Sequence, residues 1–449
     1  MPGSAKGIAF AFALALLAVS TVPAVAARDG ATDKMPGRIE MTYEGPTLVT
    51  PAGMSLYAYY KEEAKPQGIA WQCTNAAPTT TNDQQSGIGV RPQIGFKQLK
   101  SCLQKFPPYV ADADARPVGD FTIVQRPEGT RQWAYQGAPL YISANDRKPG
   151  DRNGLGAGGL FGGGGNSALA RQFGGVHLAM QSMELPTGLK FVRTSDGLVV
   201  ASSAGDRPLY TPRGGKRVVM AGTPNEDFKP VLAPAIAKVS GDWSIVQAAA
   251  GQLQYAFRGK PLYMAPTAVT EDQIAATRSW ETIVVSKAPT RPEAIGKQLT
   301  LLGDVYTDKK GLTLYTYMCT VGGFFSGTAG ASVSCDDAGD PAGFMVALCG
   351  DGKECARRWR PYIAPANARP EGEFSIIDIT YPMFTDMRGT LYPSEAPRVR
   401  VWAYRGKPVF TYYEDEKPGD IWGNNTGGIW GSMFNALEVP GRSAIGFEF

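Results

Sequence analysis

The sequence predicts an all-β protein made of three tandem copies of a two-part β-meander unit, and three observations predict it. The first is a repeated phrase, Gly119-Asp-Phe-Thr-Ile-Val-Gln125, then Trp133-Ala-Tyr135, then Gly137-Ala-Pro-Leu-Tyr141. It returns as Gly241-Asp-Trp-Ser-Ile-Val-Gln247, Tyr255-Ala-Phe257 and Gly259-Lys-Pro-Leu-Tyr263. It returns again as Gly372-Glu-Phe-Ser-Ile-Ile377, Trp402-Ala-Tyr404 and Gly406-Lys-Pro-Val-Phe410. Self-similarity of this kind means one structural unit copied. The second is punctuation: 54 Gly and 34 Pro among 449 residues separate short runs rich in Val, Ile, Tyr, Phe and Trp, the pattern of short strands and tight turns. The third is constant spacing to each Gly-Asp-Phe strand from an aromatic-proline element: Phe106-Pro-Pro108, Phe228-Lys-Pro230 and Trp359-Arg-Pro361. A one-residue slip turns a strand inside out, so a kept register implies a buried face in every copy. The units are expected to be small sandwiches or open barrels in a row. A propeller-like ring of six half-repeats is the alternative.

Residues 1–26 read as a secretory signal peptide. Lys6 gives the positive start, Ile8 to Val19 the apolar run, and Ala24-Val25-Ala26 the cleavage site. No cysteine follows that site, and no later apolar run reaches the length of a membrane span. The mature protein is expected outside the cytoplasm, periplasmic or extracellular. Residues 27–35 form a linker. Repeat one, 36–184, should carry strands at Phe121–Gln125, Arg131–Tyr135 and Pro139–Ser143 and close at Gly175–Ala179, with a Gly-rich loop at 152–175 and a polar loop at 74–95. Its first half is a diluted copy of the pattern at Gly53-Met-Ser-Leu-Tyr-Ala-Tyr59. Repeat two, 185–289, is degenerate, matching it with Gly205-Asp-Arg-Pro-Leu-Tyr210 and closing at Trp280–Val285. Repeat three, 290–449, matches it with Gly311-Leu-Thr-Leu-Tyr-Thr-Tyr317, closes from Ile429 onward, and takes an insertion at about 378–398, expected as a loop. Lys97 to Lys105 and Ala347 to Arg358 read as short helices leading into the aromatic-proline element.

The Leu-Tyr-x-Tyr pieces, the Cys-x-x-x-aromatic element, the Trp-x-Tyr-x-Gly-x-Pro-Leu-Tyr core and the Pro-Gly-Asp loop together resemble the family called secreted repeat of unknown function. These are exported bacterial proteins and lipoproteins with a Tyr-x-aromatic-x-x-Asp motif, and the resemblance spans nearly the whole mature chain. The motif drifts here. Tyr57-Ala-Tyr59 leads to Glu62, Tyr141 has Ser143 in the aromatic slot but keeps Asp146, Tyr315-Thr-Tyr317 leads to Thr320, and Phe410-Thr-Tyr412 keeps Asp415. The resemblance implies an exported β-repeat fold and no particular activity.

The six cysteines, Cys73, Cys102, Cys319, Cys335, Cys349 and Cys355, are even in number in an exported chain and read as disulfides. Cys102 and Cys355 hold the same place before Phe106 and Trp359, so Cys73 is the natural partner of Cys102. By analogy, repeat three would pair Cys335 with Cys355 and Cys319 with Cys349, with Cys349–Cys355 the alternative. No Cys-x-x-Cys motif points to redox activity.

The loop Asp146-Arg-Lys-Pro-Gly-Asp151-Arg-Asn153 recurs as Asp415-Glu-Lys-Pro-Gly-Asp420, with Asn424 beyond. Closely spaced Asp and Asn oxygens suit calcium; the same residues shape turns by bonding the local backbone. No other cofactor is implied. Trp133, Tyr135, Trp402 and Tyr404 alternate along strands, as a stacking platform or as core aromatics would. The single histidine, His177, argues against His-rich metal sites and a Ser-His-Asp triad. Glu414 and Asp415 are adjacent, and strand neighbours point to opposite faces, which is not the geometry of a glycosidase pair. A net charge of +4 is too weak to argue for nucleic acid. The reading leans away from an enzyme and toward a protein that binds a cell-envelope partner, small ligand or glycan. An enzyme or redox or metal accessory with sites in repeats one and three is the alternative.

Overall fold

The computed structural model describes residues 35–60, 62–75, 101–157, 176–181, 183–215, 228–248, 251–267, 270–318, 320–321, 333–334, 357–380, 384–385, 391–392, 398–424 and 433–443. The stretch read as a signal peptide, most of the expected linker, residues 76–95 and 158–175 of the two expected loops, residues 347–356, and Cys319, Cys335, Cys349 and Cys355 lie outside these.

The repeated phrase forms a hairpin in each repeat. Phe121–Gln125 pairs with Arg131–Tyr135, which pairs on with Ala138–Pro139. Trp243–Gln247, Leu253–Phe257 and Lys260–Pro261 do the same, as do Phe374–Thr380, Arg398–Tyr404 and Lys407–Pro408. The register is identical: Phe121 faces Tyr135, Trp243 faces Phe257, and Phe374 faces Tyr404. The turns Gln136-Gly137, Arg258-Gly259 and Arg405-Gly406 have positive φ at both residues, 48° and 86°, 49° and 75°, 48° and 80°. Two positive φ values define the turn whose twist matches flanking strands, and glycine at the second position removes half of its steric cost.

A second hairpin opens each repeat: Arg38–Thr42 with Gly45–Val49, Leu189–Thr194 with Gly197–Ser202, and Gly296–Thr300 with Gly303–Thr307. One threonine organises each turn. The hydroxyls of Thr42, Thr194 and Thr300 donate to the carbonyls of Gly45, Gly197 and Gly303 at 3.0, 3.0 and 2.9 Å, and accept an amide two residues on. This is local Thr-to-backbone turn chemistry.

The third sheet places the two halves side by side. In repeat two its order is Lys229–Pro230, Tyr263–Met264, Leu209–Pro212, Trp280–Thr282. In repeat three it is Trp359–Pro361, Phe410–Tyr412, Tyr315–Met318, Met433–Ala436. In repeat one Tyr57–Tyr59 pairs with Val176–Leu178, and Tyr141 bridges Tyr57 to Pro108 in the same order. The sheets stay small, and no barrel closes among the described residues.

Equivalent side chains make equivalent cores. Phe121, Trp133 and Tyr135 meet Leu48, Leu56 and Leu140; Trp243, Tyr255 and Phe257 meet Leu198, Leu209 and Leu262; Phe374 and Trp402 meet Leu314 and Val409. At roughly 150–250 Å² per aromatic and about 25 cal/mol per Å², each ring contributes several kcal/mol gross. Among the described residues, repeat two has no cysteine, and there Phe228 stacks on Trp280 at 4.0 Å.

Two details differ from expectation. The insertion in repeat three begins as strand rather than loop: Asp378, Ile379 and Thr380 pair with Arg400, Val399 and Arg398, lengthening the hairpin before the chain departs. Alternating apolar residues at Ile377, Ile379, Val399 and Val401 carry the ladder on. Repeat two also holds an unexpected helix, Glu271–Thr277, started by a capping box in which Thr270 and Gln273 bond each other's backbone. The anticipated helix before Phe106 runs Cys102–Lys105, capped by Ser101 and Gln104.

The repeats meet at a charged junction. Tyr43 of repeat one packs into the core of repeat two, and its hydroxyl donates to Thr194 O at 2.9 Å. Glu44 receives Arg193 of repeat two at 2.5 Å and Arg405 of repeat three at 3.0 Å. Arg405 also holds Glu373 at 2.8 Å, and Arg152 lies 3.6 Å from Glu373. Burial alone would raise the Glu373 carboxyl, but Arg405 and Arg152 outweigh it and hold it below the usual range.

Candidate functional site

Leu-Tyr dipeptides from the two halves of repeat one come together at the centre of the third sheet. Tyr57 and Tyr141 lie opposite each other, both fully buried. The Tyr57 hydroxyl donates to Asp146 Oδ2 at 2.8 Å, and the Tyr141 hydroxyl donates to Glu62 Oε2 at 2.6 Å. Each acid follows the opposite tyrosine in the chain, so the halves are latched crosswise. In repeat three Tyr315 donates to Asp415 Oδ2 at 2.7 Å.

The acids also anchor the loops that follow them. Asp146 Oδ1 accepts Asn153 N at 2.8 Å, and Asp415 Oδ1 accepts Trp422 N at 2.9 Å. Asp151 Oδ2 accepts the amides of Arg147 and Lys148 at 2.8 and 3.1 Å; Asp420 Oδ2 accepts those of Glu416 and Lys417, both at 3.1 Å. Asn153 Nδ2 donates to Asn145 O, and Asn424 Oδ1 accepts Ala436 N. The residues read as calcium ligands thus point largely at amide hydrogens, the geometry of turn chemistry. Among the described residues no group of three or more His, Cys, Asp or Glu gathers with metal-ligating geometry.

Burial pushes the Asp146 carboxyl up to about 7 against the pull of Tyr57 and Asn153, and pushes Asp415 up to about 6 against that of Tyr315 and Trp422. Burial also raises Glu62, opposed by Tyr141 and by the amides of Cys73 and Gln72. A raised carboxyl in a cleft is a general-acid candidate, but here both oxygens of Asp146 are engaged by protein groups.

Sequence reasoning missed Arg126. Its Nη1 reaches Gln132 Oε1 and the Tyr141 hydroxyl, both at 2.9 Å, its Nη2 reaches Cys73 O at 2.7 Å, and its guanidinium stacks 4.3 Å from the Trp71 ring. With Glu62 it encloses the Tyr141 hydroxyl. Nothing in the repeated phrase signals it, since Ala248 stands at the matching place in repeat two.

The remaining expected residues fall as follows. Cys73 and Cys102 are bonded. Trp133, Tyr135 and Trp402 are buried in the cores, with Tyr404 half-buried beside Phe374. His177 stacks on Tyr60 at 3.8 Å with Nδ1 2.7 Å from Leu178 O. Glu414 is exposed while its neighbour Asp415 is buried. Three aliphatic residues also went unread: Val110, Leu232 and Ile363 are 55, 47 and 52% exposed. They are equivalent, bridging Gln132, Gln254 and Val401, and each precedes a buried alanine. The signal was the aliphatic-alanine pair that begins four residues past each aromatic-proline start.

No helix among the described residues is long and apolar enough to cross a membrane. The family described as secreted repeat of unknown function matches residues 122–160 and 399–431, so one segment of repeat one and one of repeat three are similar to that repeat. Each matched segment runs from the core hairpin through the latched Pro-Gly-Asp loop. No curated protein and no solved structure matches the chain.

Proposed function

We propose that this chain, two segments of which resemble a secreted repeat, is an exported binding protein of the bacterial cell envelope that docks a partner protein. The observation that carries the reading is the outward aliphatic residue at Val110, Leu232 and Ile363. A single exposed apolar side chain is ordinary. Here the same register position stays aliphatic and open to water in three copies whose other loops have drifted. Nothing in the fold needs this, because the next residue, Ala111, Ala233 or Ala364, faces the core. Recurrent exposed apolar points beside polar surroundings suit protein docking.

The test is a triple variant, Val110→Lys, Leu232→Lys and Ile363→Lys, used beside wild type to retain proteins from envelope extract. A partner held by wild type and lost by the variant, with melting temperatures alike, supports the reading. Identical retained proteins sink it. A second reading, chemistry in repeats one and three, draws on the raised carboxyls of Asp146 and Asp415. It requires an activity abolished by Asp146→Asn with the fold kept.

A further inference from the structure

We infer that the junction of the three repeats binds a small oxyanion of the phosphate or sulfate class. Tyr43 of repeat one, Ser195 of repeat two, and Arg291, Lys297 and Tyr306 of repeat three line one pocket, with Pro289 at its edge. Its cavity volume is about 20 Å³. One water needs roughly 10–15 Å³ on that measure, so the space matches one or two waters and limits any occupant to a compact ion.

The lining is built for negative charge. It holds two cations and no carboxylate. Lys297 has no ion-pair partner among the described residues and lies across the hairpin from Tyr306. Arg291 fixes itself through Nε on Ile295 O at 3.0 Å, which orients the guanidinium without neutralising it. Tyr306 is 6% exposed as a residue, and its side chain reaches the pocket wall, with no hydrogen bond from its hydroxyl to another described residue. A hydroxyl at a pocket wall with no protein partner is able to donate to an acceptor held there.

The surroundings repeat the imbalance. Glu44 and Glu373 are the junction's carboxylates, and Arg193, Arg405 and Arg152 already face them. Arg291 and Lys297 are therefore surplus positive charge beside an unpaired donor. An oxyanion there would accept from Tyr306 and pair with both cations, the charge-assisted arrangement that binds most strongly. Because the pocket draws on all three repeats, the anion would also tie them together. This site is separate from the aliphatic positions and does not depend on the docking reading.

The experiment titrates the mature chain with inorganic phosphate, sulfate and acetate by calorimetry, at constant ionic strength set with chloride. Phosphate or sulfate should bind one per chain and raise the melting temperature as mass action requires. Tyr306→Phe keeps the ring against Phe374 at 5.1 Å, so the fold survives. Tyr306→Phe and Lys297→Gln should each weaken the dissociation constant about tenfold, the size expected for one bond to a charged group. A Lys238→Gln control should bind as wild type. No heat or thermal shift with either tetrahedral anion, binding by acetate alone, or unchanged affinity in both variants would overturn the site.

Discussion

Tyr57 and Tyr141 exchange both backbone hydrogen bonds, N to O at 2.9 Å in each direction, and each gives its hydroxyl to the acid that follows the other. Reciprocal bonding of this kind marks the hydrogen-bonded pair of an antiparallel ladder. It places a local two-fold relation between the halves of the repeat. Repeat three shows the relation half-dismantled. Phe410 has no hydroxyl, and Thr320 stands where Glu62 would, so donor and acceptor are missing together, while Tyr315 and Asp415 remain.

The crosswise latch makes a coupling prediction. Tyr57→Phe should cost about 1–3 kcal/mol, because it strips a buried carboxyl of its donor. Asp146→Ala should cost a similar amount. The double variant should cost less than the sum by about 0.5–3 kcal/mol, as for residues in direct contact. Urea unfolding of the four proteins measures this, and additive effects would show that the two do not act as a pair.

The buried acids predict an unusual pH dependence. The Asp146 carboxyl sits at about 7 when folded against an ordinary 3.8, so between those values the folded chain holds a proton the unfolded chain has released. Its contribution is fully present below about pH 4 and is lost as pH rises through 7, on the order of a few kcal/mol. Wild type should therefore lose stability relative to Asp146→Asn across that range. Asp415, at about 6, should do so over a narrower window. Glu373, held low by Arg405 and Arg152, has the opposite sign and loses its contribution as pH falls. A wild-type minus Asp146→Asn difference that stays flat from pH 4 to 7 would refute the assignment.

The Cys73–Cys102 bond closes a loop with a sequence separation of 29. In the chain-entropy account it contributes about 3–4 kcal/mol. Cys73→Ser with Cys102→Ser should lower stability by that amount, and native-state exchange should show the loss confined to repeat one. A loss spread equally over repeat two would contradict this placement.

The core hairpins were legible because one phrase fixes strand, turn and register at once: Trp133-Ala-Tyr135 alternates, and Gln136-Gly137 turns. The opening hairpins were harder to read. Thr42 to Gly45, Thr194 to Gly197 and Thr300 to Gly303 share only two residues, and the role of the threonine emerges once its hydroxyl is seen on the backbone. The tyrosine–acid latch was invisible for another reason. Tyr57 and Asp146 are 89 residues apart, Tyr141 and Glu62 are 79 apart, and only the pairing of the two halves brings them together. Glu62 and Asp146 could be seen as motif acids, but their partners could not. The junction was equally hidden, since Glu44, Arg193 and Arg405 come from three repeats and none belongs to the repeated phrase as an invariant letter.

The central claim is that one β module occurs three times, with Trp133, Tyr255 and Trp402 in the same buried place. Their amides donate to Tyr109, Val231 and Tyr362 oxygens at 2.9, 3.0 and 2.9 Å. Residue-resolved hydrogen exchange on the native chain tests this most directly. All three amides should rank among the slowest in their repeats, opening only with the core hairpin. Exchange of any one of them at the rate of an exposed loop amide would contradict the threefold architecture.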